Sequence, residues 1–280
     1  MAETPRLNGI IKALEEGQVA FISGDPGASG NGQFDGCIFE MEHGPYDINE
    51  LSLGLLNLLN PRLIAQRGSV APVVTPIVRI PPNSGEANWI AKQVLDIGVY
   101  GIVWPHIDTV QDAYNAVAAM RYSKREGHPL REPLGVRGDS PGRAVRYWGV
   151  TQDEYYAKAD VWPLDPNGEL LCGLMIESVA SIRNLPKILE EVPGISVIIT
   201  GEGDLSQELG VPRQYDHPEV AGGVKEILDI CKDHNIPNGF WHTTADNVER
   251  LIADGYRYLM AGPSRSYAIV TKGRQAAGRG

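Results

Sequence analysis

The sequence predicts a single-domain (β/α)8 barrel, the fold also called a TIM barrel. Eight apolar runs of strand length alternate along the chain with segments whose apolar residues have helical spacing. Polar or charged residues follow most of these runs directly, as they do where barrel strands end at an active site. The length of 280 residues and the hydrophobic content of 42% also suit one such domain with one large core.

The predicted strands are apolar runs of the kind that is buried on both faces in a parallel sheet. They lie at residues 18–23, 34–39, 73–80, 99–104, 170–176, 195–200, 236–242 and 256–261. The helices are predicted from apolar spacing and from start signals such as Asp47 and Asp108. They lie at residues 7–14, about 48–59, 86–97, 110–120, about 179–191, 220–234 and 247–253.

Three segments depart from this alternation. Residues 24–32 are rich in glycine but lack the GKS/T and GxGxxG patterns of phosphate-binding loops, so we predict a flexible loop, with anion binding as the lesser alternative. Residues 121–169 are predicted to form an elaborated loop over one end of the barrel, with arginine and tryptophan available for subunit contacts. After a last strand that ends at 262–265, we expect a short mobile tail. The domain prediction is one barrel over residues 1–280.

Composition narrows the function classes. The net charge of −10 and the pI near 5.1 argue against nucleic acid or an anionic membrane as a partner, because such partners need a basic face. Cys37, Cys172 and Cys231 lack metal-binding spacing and are interpreted as core residues in a reducing compartment. The sequence shows no signal peptide and no run of membrane-spanning length, so we expect a cytoplasmic protein that acts on small molecules.

The carboxyl ends of all strands in such a barrel meet on one face, where active sites lie. Side chains that are far apart in the sequence therefore converge there. The residues at or just after the predicted strand ends include Glu40, Glu42, His43, Arg79, Trp104, His106, Glu177, Asp204, Trp241, His242, Ser264 and Arg265. Coincidence explains so large a set poorly, and we predict an active site on this face.

Glu177 and Asp204 follow adjacent predicted strands, so their carboxylates should repel each other unless one is protonated or a cation lies between them. Oxygen ligands suit Mg2+ or Mn2+, and zinc is less favoured because no histidine is beside these two residues in sequence. Arg79, inside an apolar run, must face a carboxylate, either the protein's own or a ligand's. His43, oriented by Glu40 or Glu42, is a candidate proton shuttle; the alternative is a histidine that only caps or bonds its loop.

Several runs, taken together and in order, resemble the HpcH/HpaI aldolase family. The runs are 34–47, with Glu40-Met41-Glu42-His43, then 77–79, 101–105, 135–138, 176–177, 201–206, with Gly201-Glu202-Gly203-Asp204, and 217–219. The resemblance implies a (β/α)8 barrel, a hexamer built as a trimer of dimers, and a Mg2+, Mn2+ or Co2+ ion. It also implies reversible aldol cleavage that releases pyruvate or a close analogue without a Schiff base, and no lysine lies at a predicted strand end to form one.

The resemblance assigns roles to individual residues. The metal ligands fall on Glu177 and Asp204, the carboxylate-binding residue on Arg79 and the acid/base residue on His43. Glu40 replaces the family's usual aspartate, which assists the histidine.

Two further stretches depart from the family pattern. Met41 replaces a glycine, and Gly201-Glu202-Gly203-Asp204 replaces Gly-Pro-Ala-Asp. We expect substrate contacts from Arg79, Gly201, Gly203, Trp104, Trp241 and His242, with His106 also at the mouth.

The predicted function is that of a class II, metal-dependent carbon–carbon lyase. It would cleave or form a 4-hydroxy-2-oxo acid through a metal-bound pyruvate enolate, with an aldehyde as the second product. Tryptophans at the mouth hint at an aromatic or bulky aldehyde. Two alternatives stay open: a related lyase whose enolate comes from oxaloacetate decarboxylation or a CoA thioester, and a non-catalytic barrel that only binds a keto acid.

Overall fold

The chain folds into a closed barrel of eight parallel strands, which confirms the predicted fold class. The structure is a computed structural model and describes residues 6–28, 32–82, 84–261 and 267–279. The strands are β1 (Ala20–Ser23), β2 (Gly36–Glu40), β3 (Thr75–Arg79), β4 (Gly101–Trp104), β5 (Val161–Trp162), β6 (Leu170–Ile176), β7 (Val197–Thr200), β8 (Asn238–Phe240) and β9 (Tyr258–Met260). Pairing of β1 with β9 and of β4 with β6 closes the barrel, and the two-residue β5 lies beside the start of β6.

Helices surround the barrel. They are α1 (Gly9–Glu15), α2 (Ile48–Leu58), α3 (Pro61–Arg67), α4 (Asn88–Ile97), α5 (Val110–Met120), α6 (Gly142–Trp148), α7 (Gln152–Lys158), α8 (Val179–Glu191), α9 (Glu202–Glu208), α10 (Pro218–Asp233), α11 (Val248–Asp254) and α12 (Ala268–Ala276). Side-chain oxygens of Asp47 and Ser178 accept the first free N–H groups of α2 and α8. The prediction of a short mobile tail is wrong for α12, since this helix packs against α11.

The barrel interior is apolar and is closed at one end by α1. Ile10 and Ile11 of this helix pack with inward-facing strand residues such as Ile22 and Ile77. A second apolar layer fills the space between the strands and the outer helices. The site described below therefore lies at the opposite end, where the strands finish.

Besides the helical piece around Tyr155 and Tyr156 that the sequence predicts, which is part of α7, residues 121–169 contain α6 and the short strand β5. Trp148 is fully buried and its ring stacks on Tyr100, with centroids 4.2 Å apart. The expectation that this tryptophan is available for subunit contacts is therefore wrong. The Arg121 guanidinium, also fully buried, donates to both carboxylate oxygens of Asp160 at 2.6 and 3.1 Å.

Some predictions fall outside the described residues. These are part of the glycine-rich loop, at 29–31, and the end of the last strand at 262–265, with Ser264 and Arg265. All three cysteines are buried and unpaired, as expected for core residues. Within the described ranges, no helix has both the length and the apolar character needed to cross a membrane.

Candidate active site

Glu40 and Arg79 are neighbours across the ends of β2 and β3, where they are paired in register. Oε2 of Glu40 accepts hydrogen bonds from Nε of Arg79, at 2.7 Å, and from Nη2. Oε1 of Glu40 accepts the backbone N–H groups of Glu42 and His43, at 2.8 and 3.1 Å. Glu40 therefore fixes Arg79 and the loop, and the expectation that its carboxylate assists the His43 ring is wrong. Its longer side chain reaches the neighbouring strand instead.

Glu42 takes the position beside the histidine. Its side chain is only 6% exposed, and its Oε2 lies 3.8 Å from Nε2 of His43 and 3.1 Å from Nη1 of Arg79. Its Oε1 lies 3.6 Å from Nε2 of His106. Burial raises the pKa of Glu42, although the positive charge of Arg79 opposes the rise. Of the two carboxylates proposed from the sequence to orient His43, the geometry favours Glu42.

Glu177, directly after β6, is the most deeply buried acid of the site at 2% exposure. One oxygen, Oε1, accepts the backbone N–H of His106 at 2.6 Å, whereas Oε2 is buried without a hydrogen-bond partner in the described part of the chain. Burial raises the pKa of Glu177 to about 7, and the nearby charges of Glu42 and Asp204 act in the same direction. A cation beside Oε2 would relieve this desolvation.

Asp204, in the first turn of α9, brings a second carboxylate close to Glu177. Three possible ligand atoms, one each from His106, Glu177 and Asp204, lie within 4.8 Å of one another. The carboxylates and an imidazole suit a divalent ion, and the unpartnered Oε2 is the atom that such an ion would complete. The predicted metal ligands thus come together. No histidine lies beside them in sequence, but His106 lies beside them in space, because β4 is paired directly with β6, so the argument against zinc loses its support.

Gly201 allows this close approach. A Cβ at this position would lie 2.6 Å from Oε2 of Glu177 and closer still to the Glu177 Cβ. At Gly203, by contrast, a Cβ would meet nothing within 4 Å. Both glycines line the site cavity, as the sequence predicted, but only Gly201 is required by its packing against a candidate metal ligand.

The cavity at this end of the barrel has a volume of about 410 Å3. It is lined by His43, Arg79, Met175, Glu177, Gly201, Glu202, Gly203, Asp204, Gln207, Arg213, Tyr215, Trp241 and His242. Most of the predicted site residues are in this set. Sequence reasoning missed Gln207, Arg213 and Tyr215, because they lie on α9 and on the turn after it and not at the end of a strand.

The tryptophans and His242 differ in their surroundings. Trp104 is 1% exposed and packs in the layer between strands and helices, so the prediction that it lines the mouth is wrong. Trp241 does line the cavity, where its ring lies 5.0 Å from the Arg79 guanidinium. Nδ1 of His242 lies 2.5 Å from Oε1 of Glu202, and the His242 ring stacks on Tyr215. The hint of an aromatic aldehyde therefore loses one of its two supports.

Comparison with known proteins identifies the family. The model of the HpcH/HpaI aldolase/citrate lyase family matches residues 28–269. The chain belongs to this family. Its sequence is 28% identical over 229 residues to a 5-keto-4-deoxy-D-glucarate aldolase of Shigella dysenteriae serotype 1, covering 82% of this chain and 77% of the relative.

Solved structures of family members share the fold. An HpcH/HpaI aldolase/citrate lyase family protein from Burkholderia cenocepacia superimposes with a TM-score of 0.75 at 22% identity, over 96% of this chain and 97% of its own. An HpcH/HpaI aldolase from Desulfitobacterium hafniense gives a TM-score of 0.69 at 21% identity, over 90% and 89% of the two chains. The family match and the relatives' names together support a lyase of the aldolase type.

Proposed function

We propose that this chain is a divalent-metal-dependent aldolase that cleaves or forms a 4-hydroxy-2-oxo acid, with pyruvate or a close analogue and an aldehyde as the two halves. One observation supports this function above the others. Glu177, whose buried Oε2 has no hydrogen-bond partner in the described part of the chain, lies beside Asp204 and His106, in a cavity that also contains Arg79 and His43. A keto acid needs these elements together: a cation site, a guanidinium and a proton shuttle.

The cation site would be formed by Glu177 and Asp204, with His106 as a third ligand. When bound, a divalent ion supplies Lewis-acid polarisation of the keto group, which favours loss of a proton or cleavage of a bond at the adjacent carbon. Because the donor set contains an imidazole as well as carboxylates, Mn2+ and Co2+ suit it as well as Mg2+ does.

Arg79 would hold the carboxylate of the keto acid. Its Nη1 lies only 3.1 Å from Oε2 of Glu42, so the substrate carboxylate would share this guanidinium with protein carboxylates. Glu40 anchors the other side of the guanidinium and limits its movement. The Trp241 ring over the guanidinium fixes its plane further.

His43 would move the proton. Its side chain is 64% exposed at the cavity, and a neutral imidazole can accept a proton near neutral pH. Glu42 beside Nε2 would stabilise the imidazolium that forms and would orient the ring.

The relatives support the substrate class. Their substrate, 5-keto-4-deoxy-D-glucarate, becomes a 4-hydroxy-2-oxo acid when its carbons are numbered from the end nearest the keto group. We propose a substrate of this class here. The family resemblance also leads us to propose a cytoplasmic homo-oligomer, a hexamer formed as a trimer of dimers. Leu53 and Leu56, 63% and 58% exposed on α2, are candidates for its interface.

The test is proton NMR of the pyruvate methyl group in D2O. With Mg2+, the wild-type protein should exchange the methyl protons, and EDTA should stop the exchange. Glu177→Gln should abolish it, whereas Glu191→Gln, an exposed glutamate paired with Lys187, should not. Exchange that persists in EDTA or in Glu177→Gln would contradict the proposed role of this site.

A further inference from the structure

Asp108 lies in the loop between β4 and α5, and it does not begin that helix as the sequence predicted. Thr109 is the residue that caps α5, in a capping box with Asp112. The Asp108 carboxylate instead accepts a hydrogen bond from Oγ of Ser178, at 2.5 Å. Ser178 follows the candidate metal ligand Glu177 directly, so this bond joins the β4–α5 loop to the loop after β6.

A second hydrogen bond joins the same two loops. The backbone N–H of His106, two residues before Asp108, donates to Oε1 of Glu177 at 2.6 Å. His106 makes this bond with a φ of 52°, in the left-handed region that is uncommon and costly for a residue with a side chain. A backbone in such a conformation persists only when the surrounding structure holds it there. The loop that carries His106 therefore needs a further attachment.

Asp108 supplies this attachment through two of its groups. Its carboxylate accepts the Ser178 hydroxyl, and its carbonyl oxygen accepts a hydrogen bond from Nδ2 of Asn184 on α8, at 2.7 Å. Ser178 is itself fixed as the N-cap of α8, where its Oγ accepts the N–H of Ser181 at 2.9 Å. Asp108 thus ties its loop to the first two turns of α8, the helix that begins just after Glu177.

We propose that Asp108 is a positioning residue for the candidate metal site. By holding the β4–α5 loop against α8, it keeps the His106 N–H on Oε1 of Glu177 and leaves the buried Oε2 for a divalent ion. The same tie holds the His106 ring beside this carboxylate, with Nδ1 at 3.4 Å from Oε1. This inference rests on the proposed function, which makes Glu177 and His106 metal ligands.

The experiment measures Mn2+ binding by electron paramagnetic resonance in the wild type and three variants. Asp108→Ala should bind Mn2+ about 10- to 100-fold more weakly than the wild type, as when a residue that orients a metal ligand is lost. Asp108→Asn loses the charge but keeps an oxygen that can accept the Ser178 hydroxyl, so it should retain most of the affinity. Thr109→Ala is the matched control, because it removes the neighbouring helix cap; it should lower Tm without changing Mn2+ affinity.

Three results would overturn the inference. The first is wild-type Mn2+ affinity in Asp108→Ala. The second is an equal loss of affinity in Asp108→Ala and Asp108→Asn, because Asp108 would then act through its charge and not through its hydrogen bond to Ser178. The third is an equal loss in Thr109→Ala, because any weakening of the start of α5 would then be sufficient. A wild type that binds no Mn2+ would instead contradict the proposed function.

Amide hydrogen exchange tests the positioning without any metal. Because the His106 N–H donates to a buried carboxylate, it should exchange slowly with D2O in the metal-free wild type. Mass spectrometry of peptides that contain His106 should show exchange at least about tenfold faster in Asp108→Ala, and close to the wild-type rate in Asp108→Asn. Wild-type exchange in Asp108→Ala would overturn the inference, whether or not the protein binds Mn2+.

Discussion

Replacing Gly201 with alanine should displace Glu177, a candidate metal ligand, and so weaken metal binding. The added Cβ would lie 2.6 Å from Oε2 of Glu177 and closer still to the Glu177 Cβ, whereas non-bonded carbon atoms normally approach one another only to about 3.5–4.0 Å. Glu177 would have to move by about 1 Å or rotate away from Asp204. Overpacking of this kind costs about 1–3 kcal/mol, which corresponds to a fall in Tm of roughly 2–10 °C.

Gly203→Ala is the matched control. A Cβ there would have no neighbour within 4 Å, and alanine is more favourable than glycine inside a helix by about 0.8–1 kcal/mol. The assay is Mn2+ binding by electron paramagnetic resonance, together with thermal unfolding. Gly201→Ala should bind Mn2+ about 10- to 100-fold more weakly, as when a residue that positions a metal ligand is lost, whereas Gly203→Ala should bind it normally. Wild-type Mn2+ affinity and Tm in Gly201→Ala would refute this account of the packing.

Three further predictions concern other parts of the molecule. His43→Ala should slow pyruvate methyl exchange by about 10²–10⁴-fold and leave Mn2+ binding intact; normal exchange would assign the shuttle elsewhere. Arg121→Met should cost about 1.5–3 kcal/mol in urea unfolding at pH 7, because the buried Asp160 loses both hydrogen bonds from Arg121 and keeps only Lys124 as a charged partner. Burial raises the pKa of Asp160, but hydrogen bonds such as those from Arg121 outweigh burial, so the pKa is lowered overall. The difference in unfolding free energy between the wild type and Arg121→Met should therefore narrow below about pH 4, where Asp160 becomes protonated. A difference that stays constant with pH would contradict the pairing. Leu53→Asp and Leu56→Asp, two substitutions on the exposed face of α2, should each yield particles of lower mass in analytical ultracentrifugation. An unchanged mass would exclude this face of α2 from the subunit interface.

Much of the site could be predicted because the end of each barrel strand is visible in the sequence as a change from an apolar run to polar or charged residues. Each apolar run must stop where its side chains meet water, and the first charged residues after it lie on the catalytic face. His43, Arg79, Glu177 and Asp204 were placed in this way, and all four line one cavity. Their pairing could not be predicted. The side chain of Glu40 is one methylene longer than the family's usual aspartate, and its carboxylate accepts hydrogen bonds from Arg79 on the neighbouring strand and does not contact the histidine ring.

The direction in which the Trp104 side chain points could not be predicted from the sequence either. Strands that are buried on both faces have no polar alternation to reveal which side chains point inwards. Val103 packs in the barrel interior, so Trp104, one residue further on, faces the helices. His106 shows a further limit, since its contact with Glu177 spans 71 residues and depends on β4 pairing with β6. Arg213 lies on a turn in which it has a left-handed backbone conformation, and no sequence motif predicts that conformation.

The charges of the inner site also set an order of binding. Glu40 and Glu42 share the Arg79 guanidinium, while no arginine or lysine in the described residues pairs with the carboxylates of Glu177 or Asp204. A keto acid would add another carboxylate, and two like charges 4 Å apart repel by about 4 kcal/mol at an effective dielectric constant of 20. Glu177 and Asp204 should therefore hold their divalent ion before pyruvate can bind. Calorimetry should show pyruvate binding at least about 100-fold more weakly in EDTA than in Mg2+, and equal affinities would mean that Arg79 alone is sufficient to hold the carboxylate.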